Sequence, residues 1–367
     1  MKNKKYCFFL YNTEPGGLEV YLLRFIQHYK GDWQATVICK SGRTGKLLSG
    51  FEDAGARVIP MKGGYVNVKA WYSIYAFFKK EQFDAVCDLT SNFGGVYMWL
   101  ASRAGVRNRV AYYGQSTNHF RETPLRIWYD RFVNKLVYRQ ATMVVLNSYA
   151  ALSNFFPYVQ KTDQRFQVVY NGVDASLFVA EKNIVLRRNL GIPDNAFVVG
   201  HSGRFDEKKN HAAILRLAAM CREKWNNVYF VCCGNGTEQL QSEIDRLGLS
   251  DTCLALGYRS DVHEVLRVFD VFYFPSYTEG QPNALIEAMM AGLPFIASDI
   301  DPIKDTIPKA FLSQLVQPDD TNAAFEKLAI FYNNRDQLAA YSCRDWAIDK
   351  YDAHLRFNEF LDSLNRW

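Results

Sequence analysis

Seven residues separate Glu279 from Glu287 within the stretch 271–300, VFYFPSYTEGQPNALIEAMMAGLPFIASDI. Two carboxylates so spaced make one site only if the backbone sets them at different depths of a single crevice. The local signals predict this. Val271–Phe274 reads as a buried strand that Pro275 and Ser276 end, and Glu279-Gly280-Gln281 reads as a loop. Pro282 suits the first turn of a helix running through Asn283 to about Ala291, which Gly292-Leu293-Pro294 stops. Phe295–Ala297 reads as the next parallel strand. Such a unit places ligands at the carboxyl ends of its strands, and loop amides and a helix N-terminus favour an anion beside the two acids. A ligand that brings both phosphate and hydroxyl groups fits, and a nucleotide sugar has both. Either Glu alone reads as a helix-dipole partner or a solvated helix residue, so the inference rests on the whole stretch.

Cations that could meet a phosphate follow another strand, in Gly203-Arg204-Phe205-Asp206-Glu207-Lys208-Lys209-Asn210. Arg204 offers a planar fork of donors and Lys209 a point charge, and both read as exposed. Gly16-Gly17 closes the first strand's loop and lets backbone approach a ligand. Gly234-Asn235-Gly236 does the same after a later strand. Other signals fail. Gly42-Arg43-Thr44-Gly45-Lys46 has its glycines too close for a phosphate loop, and Leu47 stands where Ser or Thr is needed. No GxGxxG follows the first strand, which counts against a dehydrogenase. The six His form no metal-ligand set, and the eight Cys lack CxxC spacing, as suits reduced core thiols in a cytosolic protein.

These residues need scaffolds. Tyr6–Tyr11, Thr36–Cys39, Arg57–Pro60, Phe83–Cys87, Arg109–Tyr112 and Met143–Leu146 read as strands with amphipathic segments between them. The pattern restarts after Asn171-Gly172-Val173-Asp174, with strands at Phe197–His201, Val228–Cys232, Val271–Phe274 and Phe295–Ala297. A chain of 367 residues built this way predicts two α/β domains with parallel sheets. No apolar run is long enough to span a bilayer, and the short apolar start reads as a first strand. Residues 1–170 carry 23 Lys and Arg against 11 Asp and Glu, whereas the remainder carries 20 against 27. The halves therefore have different partners. Residues 121–139, RETPLRIWYDRFVNKLVYR, form a basic helical pattern with Ile127, Phe132, Leu136 and Val137 toward the core. Arg126, Arg131, Lys135 and Arg139 would then be exposed, which suits an anionic membrane surface or a solvated face equally. Nucleic acid fits poorly, because no binding module is present.

The stretch PSYTEGQPNALIEAMMAGLPFIASD resembles the E-x7-E signature of retaining glycosyltransferases of family 4, which have the GT-B fold of two Rossmann-like domains around a ligand cleft. FQVVYNGVD, at 166–174, resembles that family's interdomain stretch. The resemblance implies an acceptor domain over 1–170, a nucleotide-sugar domain over 171–344, and a terminal helix within 345–367 crossing back to the first. It implies no metal and no cofactor; a metal-holding DxD is read instead as a turn at Asp299-Ile300-Asp301. Glu287 would accept hydrogen bonds from ribose, and Glu279 with the Gly280, Gln281, Pro282 and Asn283 backbone would hold the sugar. Arg204 and Lys209, rather than Lys208, would steady the leaving diphosphate. Gly16, Gly17, Gly203, Gly234 and Gly236 would approach the donor, and Tyr258 or Arg259 would flank the base. Many relatives carry a His after the 109–112 strand; here Gln115 or His119 would replace it, or nothing does. The implied reaction moves a sugar to a glycan or polyprenyl-linked acceptor of surface-polysaccharide synthesis, at the inner face of the membrane. A phosphorylase or epimerase of related fold, or a nucleotide-sugar binder without turnover, are the alternatives.

Overall fold

A computed structural model describes residues 4–63, 67–115, 123–160, 162–178 and 180–366. The chain divides into two compact units, 1–172 with 354–367, and 173–353.

The first unit is a seven-stranded parallel sheet: β1 Lys5–Leu10, β2 Gln34–Cys39, β3 Arg57–Pro60, β4 Ala85–Asp88, β5 Asn108–Tyr113, β6 Met143–Leu146 and β7 Phe166–Val168. Its order is β3-β2-β1-β4-β5-β6-β7, so the winding reverses between β1 and β4. The central strands are unbroken apolar runs because helices bury both faces. One covering layer is aromatic. Tyr21 stacks on Tyr112 at 5.6 Å, and Phe25 meets Phe360 at 4.8 Å. Phe357, Phe360, Leu361 and Leu364, all from the terminal helix Ala353–Leu364, are buried in this unit. Asn365 then ties the end down, accepting from Lys4 Nζ at 2.6 Å and Tyr6 Oη at 2.7 Å.

The second unit is a six-stranded parallel sheet: β8 Phe197–Ser202, β9 Val228–Cys233, β10 Cys253–Ala255, β11 Val271–Phe274, β12 Phe295–Ser298 and β13 Leu315–Val316, in the order β10-β9-β8-β11-β12-β13. The winding reverses between β8 and β11, which sets the strand ends bearing the Arg204 and Glu279 loops side by side. β7, β10 and β13 escape the sequence reading: each is two or three residues long, and β7 and β13 lie at sheet edges with only one partner each.

Two expectations change. The helical pattern from Asp345 is two helices, Arg344–Tyr351 and Ala353–Leu364, because Asp352 turns extended and pairs with Val173. The basic helix Pro124–Gln140 buries Val133 and Val137, while Ile127 and Phe132 face outward. Backbone crowding sets that register: Val133 O lies 2.5 Å from where a side chain at Gly95 would begin.

Candidate functional site

Four loops meet at the carboxyl ends of β8, β9, β10 and β11. The loop after β8 is laced to the loop after β9, with Gly203 N donating to Cys233 O and Phe205 N to Asn235 O, both at 2.9 Å. Gly234 has φ +143, and a Cβ there would lie 2.1 Å from Gly203 O. Only glycine permits that approach. Gly234 N donates to Gly257 O at 2.8 Å, joining the loop after β10. Tyr277 N donates to Lys208 O at 2.8 Å, joining the loop after β11.

Lys209 and Glu279 come together within this lacing. Asp206 accepts from Lys208 N and caps the short turn Glu207–Lys209. Asn210, left-handed at φ +52, then caps the helix His211–Lys224. That double turn sends Lys209 inward: its Nζ lies 2.5 Å from Glu279 Oε1 and 5.0 Å from the Phe274 ring centroid. The Lys209 side chain is 21% exposed, so the expected exposure is wrong for Lys209. It holds for Arg204, which is 58% exposed and 3.4 Å from Asp206.

Glu287 belongs to the same region. The helix is Asn283–Met290, one residue shorter at each end than its signals suggest, with Pro282 capping it instead of entering its first turn. Glu287 is buried, as is Gln281. Burial pushes the Cys233 thiol up to about 11; a hydrogen bond with Ser202 opposes this, Glu287 adds to it, and Arg259 and Asp261 follow. Glu287, Arg259 and Asp261 therefore share the neighbourhood of the β9 end. Arg259 grips Asp261 with two bonds, at 2.8 and 2.5 Å. Tyr258 is exposed, and Gly236 backs onto Phe205.

Two histidines lie beneath these loops unannounced by any motif. His201 is fully buried, with Nδ1 against Tyr273 O at 3.0 Å, and its ring meets that of His211 at 5.0 Å. Burial is the first cause lowering both, His201 well below its ordinary value and His211 to about 4; each also feels the Lys209 charge.

In the first unit, Gly16 caps the helix Gly17–His28 at the end of β1. Leu18 lies against Gly114, which brings the half-buried Gln115 to the same end of the sheet. His119 lies outside the described residues, as does the side chain of Arg126. Arg131, Lys135 and Arg139 are exposed. A buried pair missed by sequence reading joins β2 to β4: Lys40 Nζ lies 2.5 Å from Asp88 Oδ2 and 2.5 Å from Thr90 Oγ1, over the Tyr97 ring at 4.0 Å. No local pattern marks a Lys as buried, and its partner is 48 positions away.

Among the described residues no group of three or more His, Cys, Asp or Glu is placed to hold a metal ion. Asp299 instead pairs with Lys304 at 2.6 Å. Also among them, no helix is long and apolar enough to cross a membrane.

Residues 15–177 match the family described as Glycosyltransferase Family 4, and residues 183–344 match Glycosyl transferases group 1. The chain is 33% identical over 216 residues to EpsF of Bacillus subtilis, whose glycosyltransferase name is provisional; the match spans 55% of this chain and 54% of that one. It is 25% identical over 312 residues to the Escherichia coli UDP-Gal:alpha-D-GlcNAc-diphosphoundecaprenol alpha-1,3-galactosyltransferase, spanning 81% and 79%. In fold it is similar to Anabaena Alr3699/HepE, solved in complex with UDP-glucose, with a TM-score of 0.84 at 20% identity over 99% and 100% of the two chains.

Proposed function

Because the chain belongs to the family 4 glycosyltransferases of GT-B fold, one half matching each of that group's two family descriptions, we propose that it is a retaining enzyme that needs no metal. It moves a sugar from a nucleotide diphosphate to a glycan on a polyprenyl diphosphate. The observation that carries this reading is the convergence of Arg204, Lys209 and Glu279 on the laced loops of the second unit, at the reversal between β8 and β11 where ligands of open α/β sheets bind.

The roles follow from chemistry. Arg204 and Lys209 hold the diphosphate and take up charge as it leaves. Glu287, buried but beside polar loops, accepts from the ribose hydroxyls. Glu279 and the backbone of Gly280–Asn283 hold the transferred sugar. The bond from sugar C1 to phosphate oxygen breaks, a bond from C1 to the acceptor oxygen forms on the same face, and the acceptor's proton passes to the departing phosphate. Gly16 and Gly17, from the first unit, approach the donor with their backbone, and Gln115 belongs to the acceptor side. UDP-sugars are the first donors to test, since the Escherichia coli relative is named for UDP-Gal and the Anabaena structure holds UDP-glucose.

A thermal-shift screen of UDP-, GDP-, dTDP- and ADP-sugars tests the donor class, because a ligand that binds only the folded form raises the melting point. One nucleotide series should stabilise, and transfer to a lipid-linked glycan should keep the donor's anomeric configuration and run equally in EDTA. Inorganic phosphate use, or conversion of donor without acceptor, would point to the phosphorylase or epimerase reading. Binding without turnover on any acceptor would point to a non-catalytic binder.

The helix Pro124–Gln140 supports a membrane-facing first unit, at the cytoplasmic leaflet where such acceptors lie. Trp128 and Phe132 stack at 6.0 Å, are exposed by 64% and 47%, and flank exposed Arg131 and Lys135. Aromatic anchors with basic neighbours suit an anionic surface. Neutralising Arg126, Arg131 and Lys135 together should release the protein from phosphatidylglycerol vesicles; unchanged partitioning rules the contact out.

A further inference from the structure

Three cations at the nucleotide loops hold carboxylates: Arg204 with Asp206 at 3.4 Å, Arg259 with Asp261 at 2.5 Å, and Lys209 with Glu279 at 2.5 Å. The first two are local pairs, two residues apart on one loop. The third is different in kind. It joins the loop after β8 to the loop after β11 across 70 residues, and it is the most enclosed, with side chains 21% and 10% exposed. A diphosphate that recruits Lys209 must take it from Glu279. Resting on the nucleotide-sugar reading above, we propose that Glu279 competes with the nucleotide for Lys209, and that this competition makes the site expel its nucleoside diphosphate product.

The physical argument concerns what each ligand leaves behind. A carboxylate enclosed to this degree loses much when its ammonium is drawn off, because removing one partner of an enclosed pair leaves the other charge poorly solvated. A nucleotide sugar compensates, since its phosphates take Lys209 while its sugar hydroxyls donate to Glu279. A nucleoside diphosphate takes Lys209 and returns nothing. Once the sugar has left for the acceptor, Glu279 restores the ion pair seen in the structure by recapturing Lys209, which loosens the phosphate. Discrimination between substrate and product thus lies in one exchangeable ion pair, and Glu279 acts on product affinity through Lys209.

Calorimetric titration with UDP, GDP, ADP and dTDP tests this on the wild type, Glu279→Gln, Lys209→Met and the double variant. The best nucleoside diphosphate should bind Glu279→Gln about tenfold more tightly than wild type, the order expected when a competing charge is removed from a partly enclosed site. Product inhibition of transfer should strengthen in parallel, and Lys209→Met should bind weakly. The gain from Glu279→Gln should vanish in the Lys209→Met background. A merely structural Glu279 predicts equal or weaker binding in Glu279→Gln, and that result overturns the proposal, as does a gain that survives loss of Lys209. Should the glutamine variant fail to fold, Glu279→Ser removes the same charge with a smaller side chain. If none of the four nucleotides binds wild type, the nucleotide-sugar reading itself falls and the competition with it. If wild type binds and the variants do not tighten, only the competition is lost.

Discussion

Arg204 and Lys209 carry the same charge but differ in what their loss uncovers. Arg204 is mostly in solvent, and its contact with Asp206 is long, so truncation removes little that holds the fold. Arg204→Ala should lower turnover by about 10²–10³ with a melting point close to wild type. Lys209→Ala should lower turnover comparably and also cost about 1–2 kcal/mol of stability, because Glu279 stays enclosed after its ammonium is gone. Steady-state kinetics and thermal melts on the two variants check this; equal melting points would mean that the Lys209–Glu279 pair adds nothing to the fold. Here the sequence is legible in type and not in depth. Glu279, Glu287, Arg204 and Lys209 can be named as a set because the stretches 271–300 and 203–210 that carry them resemble family motifs, and Arg204 and Glu279 each follow the carboxyl end of an apolar run. That Lys209 turns inward depends on a left-handed Asn210 and on Asp206 capping the turn, features set by backbone conformation.

The junction of β8 with the helix His211–Lys224 is where pH should act. His211 is neutral in the folded protein, its pKa lowered from 6.5 to about 4 first by burial and then by the Lys209 charge, with Asp206 opposing. The unfolded chain therefore binds the extra proton between about pH 6.5 and 4, and stability falls as pH falls through that window. His201 shifts in the same direction, so the two losses add. Melting temperature should drop steadily from pH 7 to pH 4, and His211→Leu should make the drop shallower; parallel curves for variant and wild type would remove His211 from the account. At this scale much of the chain was readable in advance. Strands with two buried faces, such as β1, β6 and β11, announce themselves as unbroken apolar runs. The short edge strands β7 and β13 do not, since two or three residues carry no period. The basic helix is legible as a helix with Val137 inward, but the pattern sets Ile127 and Phe132 inward too, whereas the buried neighbour is Val133, brought in by the close approach of Gly95.

The first unit is completed by the last residues of the chain. Phe357, Phe360, Leu361 and Leu364 are all buried against it, and at about 1.5–3 kcal/mol each they supply roughly 6–12 kcal/mol. That equals the whole net stability of an ordinary domain, about 5–15 kcal/mol. A chain ended after Tyr351 should therefore lose the first unit to limited proteolysis while the second still binds nucleotide; a protease-resistant first unit in that truncation would contradict the packing account. The same arrangement has a consequence for biosynthesis. Translation emits the first unit's seven strands early, then all of Val173–Ala353, and only then the helix that caps the Tyr21–Phe25–Tyr112 aromatics. At about 5–20 residues per second, that sticky groove stands open on the nascent chain for roughly ten to forty seconds. A chaperone that covers the groove during the wait would keep the nascent chain from aggregating before its closing helix arrives.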